Sequence, residues 1–96
     1  MPPLSDKEIN ARLTSVPDWQ IESGELVRTF LFKDFRQSLT FVNQVGELAE
    51  KAGHHPDIDI RYNKVRLALI SHDAGGLTDA DFELAAACDL VFGPAE

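Results

Sequence analysis

Three histidines carry the chemistry that this 96-residue chain can do. His54 and His55 are adjacent and followed at once by Pro56, and His72 stands shortly before a Gly75-Gly76 pair. Imidazole has the unperturbed pKa nearest neutrality, so it can both give and take a proton under physiological conditions. Pro56 pushes His55 into an extended conformation, which turns the two adjacent rings in different directions. Glu50 precedes His54 by four residues, a spacing at which a carboxylate on a helix can pair with it and favour its charged form. The structural alternative is that His54 only caps a helix C-terminus, where a cation meets the dipole favourably. Pattern alone leaves cap and catalyst both open.

The other polar residues also have two readings. His72 lies beside Asp73 and before the glycines, so it belongs either to an Asp-assisted turn or to the rim of a site where missing Cβ atoms let a ligand approach. Asp81 at the third position of a helix satisfies backbone donors or faces a site. Trp19, the only tryptophan, is a core residue or a stacking surface. A zinc site is disfavoured: adjacent histidines share no face of a helix or strand, and the one thiol, Cys88, lies far off in sequence. A Gly-x-Ser-x-Gly elbow, a phosphate loop and a dinucleotide fingerprint are all missing from the sequence. What remains is acid–base chemistry by histidine on a small neutral molecule, without a cofactor or metal.

Composition narrows the partners. The formal charge is −7 and the basic residues are scattered, whereas a nucleic-acid groove needs them gathered. A single cysteine cannot close an intrachain disulfide, which fits a reducing compartment. The first residues, Met-Pro-Pro-Leu-Ser, lack the basic and apolar regions of a signal peptide, and no apolar run approaches a membrane span. A soluble, cytoplasmic protein is expected, with no nucleic-acid or membrane partner.

The elements that must position the histidines can be read in order. Ser5 with Glu8 forms a capping box, and Leu4 and Ile9 the hydrophobic staple of a helix over 6–14 that buries Ile9 and Leu13. Pro17 prevents its extension. Strands over 19–22 and 26–33 flank a Ser23-Gly24 turn, with Phe30 and Phe32 on one face. Asp34 with Gln37 opens a second helix whose apolar stripe is Phe35, Leu39, Val42, Val45 and Ala49, ended by Gly53. Ile58 and Ile60 alternate with charged residues, Tyr62-Asn63-Lys64 turns the chain, and Val65, Leu67 and Leu69 continue the alternation in a strand reaching 71. Thr78 with Asp81 starts a last helix, in which Phe82, Ala85 and Phe92 line one face with Leu84, Cys88 and Val91 beside it. The expectation is one α+β domain over 1–96, a four-stranded antiparallel sheet with three helices on one face, in the order α-β-β-α-β-β-α. A sheet with an open face and open edges also predicts a homo-oligomer.

The segments Glu50 to Asp57, Tyr62 to Val65 and Ser71 to Leu77, followed by Asp81, resemble the pterin-4a-carbinolamine dehydratases. The spacing agrees: an acidic residue four before the first histidine, an aromatic seven after the second, a histidine ten beyond, and an aspartate nine later. Trp19 and Phe32-Lys33-Asp34-Phe35 also look like the family, while Ile58 stands where some relatives carry an aromatic. The resemblance implies loss of water from 4a-hydroxytetrahydropterin to give quinonoid dihydropterin, the step that recycles the pterin cofactor of aromatic amino acid hydroxylases. The pterin is then the substrate and no further cofactor is implied. His54, His55 and His72 would be catalytic, with His55 and His72 moving most of the protons and His54, charged by Glu50, polarising the substrate. Pro56 and residues 71–73, among them Ser71 and Asp73, would line the pocket, and Trp19, Glu50 and Asp81 would serve as walls or supports. A dimer or tetramer is implied too. Two other roles stay open: a protein-binding module, since some family members partner transcription factors through a helical face (here Phe41 and Leu48), and a pterin-binding protein of another pterin pathway such as molybdenum cofactor metabolism.

Overall fold

The computed structural model describes residues 2–93. Its element order is α1 (Asp6–Leu13), β1 (Gln20–Glu22), β2 (Glu25–Leu31), α2 (Phe35–Ala52), β3 (Asp57–Arg61), β4 (Lys64–Leu69), a single 3-10 turn His72–Ala74 and α3 (Asp79–Phe92). The helix starts follow from their caps. Ser5 and Glu8 close a reciprocal capping box, and the hydrogen bond from the Ser5 backbone N–H chiefly holds the Glu8 carboxyl below its ordinary range. Asp34 Oδ1 accepts from Gln37 N–H at 2.9 Å, while the Gln37 side chain reaches back to Lys33 N–H at 3.0 Å.

The four strands form one antiparallel sheet in the order β1-β2-β4-β3, so each hairpin pairs within itself and β2 joins β4 at the centre. The register places Leu26, Arg28 and Phe30 opposite Leu69, Leu67 and Val65, and Ile58 and Ile60 opposite Leu67 and Val65. These residues share the face that carries the helices, where Leu26, Phe30, Val65, Leu67 and Leu69 pack with Phe41 and Val45 of α2 and Phe82, Ala85 and Cys88 of α3. Lys64 and Arg66, on the alternate positions of β4, are exposed on the opposite face. This is the α+β layer expected from the pattern.

Details depart from the periodicity. The first helix stops at Leu13, and Ile9 and Leu13 are only partly buried because α1 lies at the margin of the core. β2 ends at Leu31, yet Phe32 still bonds to the neighbouring hairpin, its N–H donating to the Asn63 carbonyl at 2.8 Å. β4 ends at Leu69, two residues short of the expected end. In α2 the inward stripe is Ser38, Phe41, Val45 and Ala49, while Phe35 and Leu39 are 47% and 40% exposed. The helix is rotated towards a serine because the Ser38 hydroxyl donates to the Tyr62 carbonyl at 2.8 Å and so can be buried without loss. That rotation brings Phe41 against Phe30, Phe32 and Phe92, with ring centroids at 4.6, 5.1 and 6.0 Å. Phe41 is therefore a core residue rather than part of an outward surface, and Leu48 packs partly against the same core.

Candidate active site

The site begins where α2 stops. Gly53 adopts the left-handed conformation, φ 63°, and the N–H groups of Gly53 and His54 both bond to the Ala49 carbonyl. An L residue reaches that conformation only at a cost, which explains a glycine here. The reversal sends the two following rings to different partners. His54 turns towards α3, and its Nε2 lies 2.6 Å from Asp81 Oδ1. His55 turns outward, and its Nε2 lies 2.5 Å from Glu50 Oε2. Glu50 thus pairs with His55 and not with His54, contrary to the helical i, i+4 expectation, because the chain leaves the helix at Gly53 before either ring is placed.

The two pairs differ in environment. The Asp81 side chain is fully buried and that of His54 only 18% exposed, against 61% for His55 and 76% for Glu50. Asp81 also accepts from the Ser71 hydroxyl at 2.8 Å and from Thr78 N–H at 2.9 Å, both through Oδ2. It therefore does both things the sequence allowed, capping α3 and holding a histidine. Since a carboxylate only accepts, Nε2 of each ring carries the hydrogen and Nδ1 is left free to exchange a proton.

His72 opens the 3-10 turn after β4, exposed, and its ring makes no hydrogen bond to another described side chain. Gly75, at φ 75°, closes the turn, its N–H shared between the Ser71 and His72 carbonyls at 3.1 Å, and a bridge between Ser71 and Gly76 seals the loop. Gly76 is tight for a different reason: an added Cβ would sit 3.0 Å from Pro3 Cβ, which would have to give by a few tenths of an ångström. Next to it Leu4 N–H donates to the Leu77 carbonyl at 2.8 Å, tying the N-terminal segment to the loop.

These segments border an open cleft of about 350 Å³ lined by Gly53, His54, His55, Ile70, Ser71, His72 and Asp73. All three histidines line it, with Asp81 behind His54 and Glu50 behind His55. The Ser71 hydroxyl is committed to Asp81 and Thr78, so Ser71 borders the cavity without a free hydroxyl hydrogen. Pro56 is partly buried and is not among the lining residues. Trp19 is not brought to the cavity: it is 4% exposed in the core, edge-on to Phe30, with its indole N–H donating to Asp89 Oδ1 at 2.8 Å. Arg28, stacked 4.2 Å over the Phe30 ring, shares that Asp89 oxygen at 2.7 Å, so the tryptophan serves a partly buried ion pair. Sequence reading missed Ile70 and Thr78. Ile70 carries no polar group to mark it, and Thr78 was visible only as a cap.

The fold and the cavity define an α+β protein whose site gathers three imidazoles, two of them hydrogen-bonded to carboxylates. Among the described residues no three His, Cys, Asp or Glu side chains gather as metal ligands. The sequence profile described as Pterin 4 alpha carbinolamine dehydratase matches residues 2–91, and the chain belongs to that family. It is 59% identical over 93 residues to a protein of Chloroflexus aurantiacus provisionally named a pterin-4-alpha-carbinolamine dehydratase, covering 97% of this chain and 100% of that one. A protein of the same provisional name from Acidobacterium capsulatum is 56% identical over 91 residues, covering 95% and 99%. Among solved structures, the transcriptional coactivator/pterin dehydratase from Brucella melitensis superposes with a TM-score of 0.91 at 32% identity, over 95% of this chain and 99% of that one. A pterin dehydratase-like protein identified as a RuBisCO assembly factor in the alpha-carboxysome gives 0.65 at 26% identity, over 80% and 89%. No helix among the described residues is long and apolar enough to cross a membrane.

Proposed function

We propose that this protein dehydrates 4a-hydroxytetrahydropterin to quinonoid dihydropterin, in the recycling of a pterin cofactor. The observation that carries the reading is the convergence of His54, His55 and His72 on one cavity, two of them held through Nε2 by carboxylates. Hydroxide is a poor leaving group. The 4a-oxygen takes a proton as the C4a–O bond breaks, the N5–H proton leaves to a base, and its electron pair forms the N5=C4a bond. One proton in and one proton out balance the release of water, and no metal or redox cofactor is required.

His55 and His72 are the groups we assign to these two transfers, through imidazole nitrogens that no other side chain occupies. His54 is held more firmly and binds and polarises the substrate, while Asp73 and the backbone of the loop read its polar edge. Positioned acids and bases of this kind contribute about 10²–10⁴-fold. The test is dehydration of freshly made 4a-hydroxytetrahydropterin followed by absorbance. Wild type should exceed buffer, and His55→Ala and His72→Ala should each lose about 10²-fold or more. Wild type no faster than buffer removes the dehydratase reading; unimpaired alanine variants remove the assignment of roles.

A specific observation also favours a protein-binding role. Phe35 and Leu39 are exposed apolar side chains one turn apart on α2, and the Brucella melitensis relative is described as a coactivator as well as a dehydratase. The same surface and the unpaired sheet edges at β1 and β3 support self-association into a dimer or tetramer. Light scattering distinguishes the sizes, and Leu39→Glu should shift them if α2 is the contact.

A further inference from the structure

Thr78 is buried, at 6% exposure, where α3 begins. Its Oγ1 lies 2.8 Å from Ser71 Oγ, which in turn lies 2.8 Å from Asp81 Oδ2. Proton count fixes the direction of this chain. A serine hydroxyl has one hydrogen and a carboxylate only accepts. Ser71 therefore donates to Asp81 and must accept from Thr78. At the far end Asp81 Oδ1 takes the Nε2–H of His54.

We propose that Thr78 is a positioning residue of the histidine site: its hydroxyl orients Ser71, and through Ser71 and Asp81 it holds His54 with Nε2 protonated and Nδ1 free. Its catalytic consequence rests on the dehydratase reading above; the hydrogen-bond relay does not. Ser71 immediately precedes His72 and anchors the loop through its bridge to Gly76. One hydroxyl pair thus sets both the tautomer of His54 and the take-off of the segment bearing His72. Burial removes water as a substitute donor, and aligned bonds in a low dielectric strengthen one another. Loss of the Thr78 hydroxyl leaves Ser71 Oγ without a donor and frees it to rotate away from Asp81.

The experiment uses the full chain with Thr78→Val, which keeps the backbone N–H and the branched shape, and Thr78→Ser, which keeps the hydroxyl. The His54 tautomer is read by NMR of 15N-labelled histidine, and kcat and KM are measured on 4a-hydroxytetrahydropterin. In Thr78→Val the His54 Nε2–H signal should weaken and kcat/KM fall about 10-fold, and Thr78→Ser should restore both. An unchanged His54 signal in folded Thr78→Val overturns the proposal, whatever kcat does. If that variant does not fold, Ser71→Ala breaks the next link, and a retained His54 signal there overturns it equally. If wild type shows no dehydration, the functional reading fails while the NMR arm still decides the relay.

Discussion

His54 Nε2 lies 2.6 Å from Asp81 Oδ1, joining residues 27 apart in sequence and tying the end of α2 to the first turn of α3. One residue later, His55 makes the same kind of bond to Glu50, in the last turn of α2 and in solvent. Identical chemistry in two environments yields two different jobs. A buried pair with three donors on one carboxylate is rigid, while an exposed pair can open and let the ring move a proton.

Asp81→Asn keeps the volume but removes an acceptor from a group that serves His54, Ser71 and Thr78. The amide must present its NH₂ to one of these donors, leaving a buried clash or an unmade bond. Such a defect costs about 1–3 kcal/mol. Denaturant unfolding should show a loss of that size, and dehydration should slow by about 10–100-fold because the supported ring loses its orientation.

Glu50→Gln should behave differently. Its bond to His55 is largely exposed, so water screens the pair and replaces the lost interaction. Unfolding free energy should change by less than about 1 kcal/mol. Any loss of activity should then appear in the pH profile of kcat rather than in the melting curve. A large fall in stability would mean that the pair is structural.

The histidine cluster was legible because its spacing is local: Gly53, His54, His55 and Pro56 are consecutive, and His72 follows a clear strand. The partners were not. Whether Glu50 serves His54 or His55 depends on the left-handed turn at Gly53, which changes ring direction by more than a residue count records. Asp81 looked like a cap, and it is one, but the second oxygen of its carboxylate meets a residue brought in by tertiary packing. In the α2 stripe Val45 and Ala49 face inward as read, but the rule that apolar means inward fails at Phe35 and Leu39. Ser38 is inside because the Tyr62 carbonyl receives its hydroxyl, and that acceptor belongs to a hairpin no helical periodicity can see. Trp19 was drawn to the site by resemblance, whereas its indole N–H is spent on Asp89.

Cys88 gives a prediction in pH. It is fully buried among the core side chains, and burial pushes its thiol up to about 12 from an ordinary value of 9.0. The thiolate is the nucleophile, so the folded protein should resist iodoacetamide at pH 8 and react once denatured. The unfolded chain releases this proton first, so above 9.0 it binds fewer protons than the folded one and stability falls as pH rises towards 12. Cys88→Ala should flatten that part of the stability curve. Rapid labelling of the native protein would show that α3 opens locally.

The rotation of α2 can be tested by two phenylalanines six residues apart. Phe41 is 2% exposed and touches the rings of Phe30, Phe32 and Phe92, whereas Phe35 is 47% exposed near the helix start. Truncating a buried phenylalanine removes its transfer free energy and leaves a cavity, about 3–5 kcal/mol together. Phe41→Ala should therefore unfold at much lower denaturant. Phe35→Ala leaves no cavity in the monomer core, and its effect should stay within about 1 kcal/mol in dilute solution. If Phe35→Ala destabilises as much as Phe41→Ala, and more at high than at low protein concentration, the exposed face of α2 is buried by a second copy. Concentration dependence is the deciding quantity, because only an interface between chains obeys mass action.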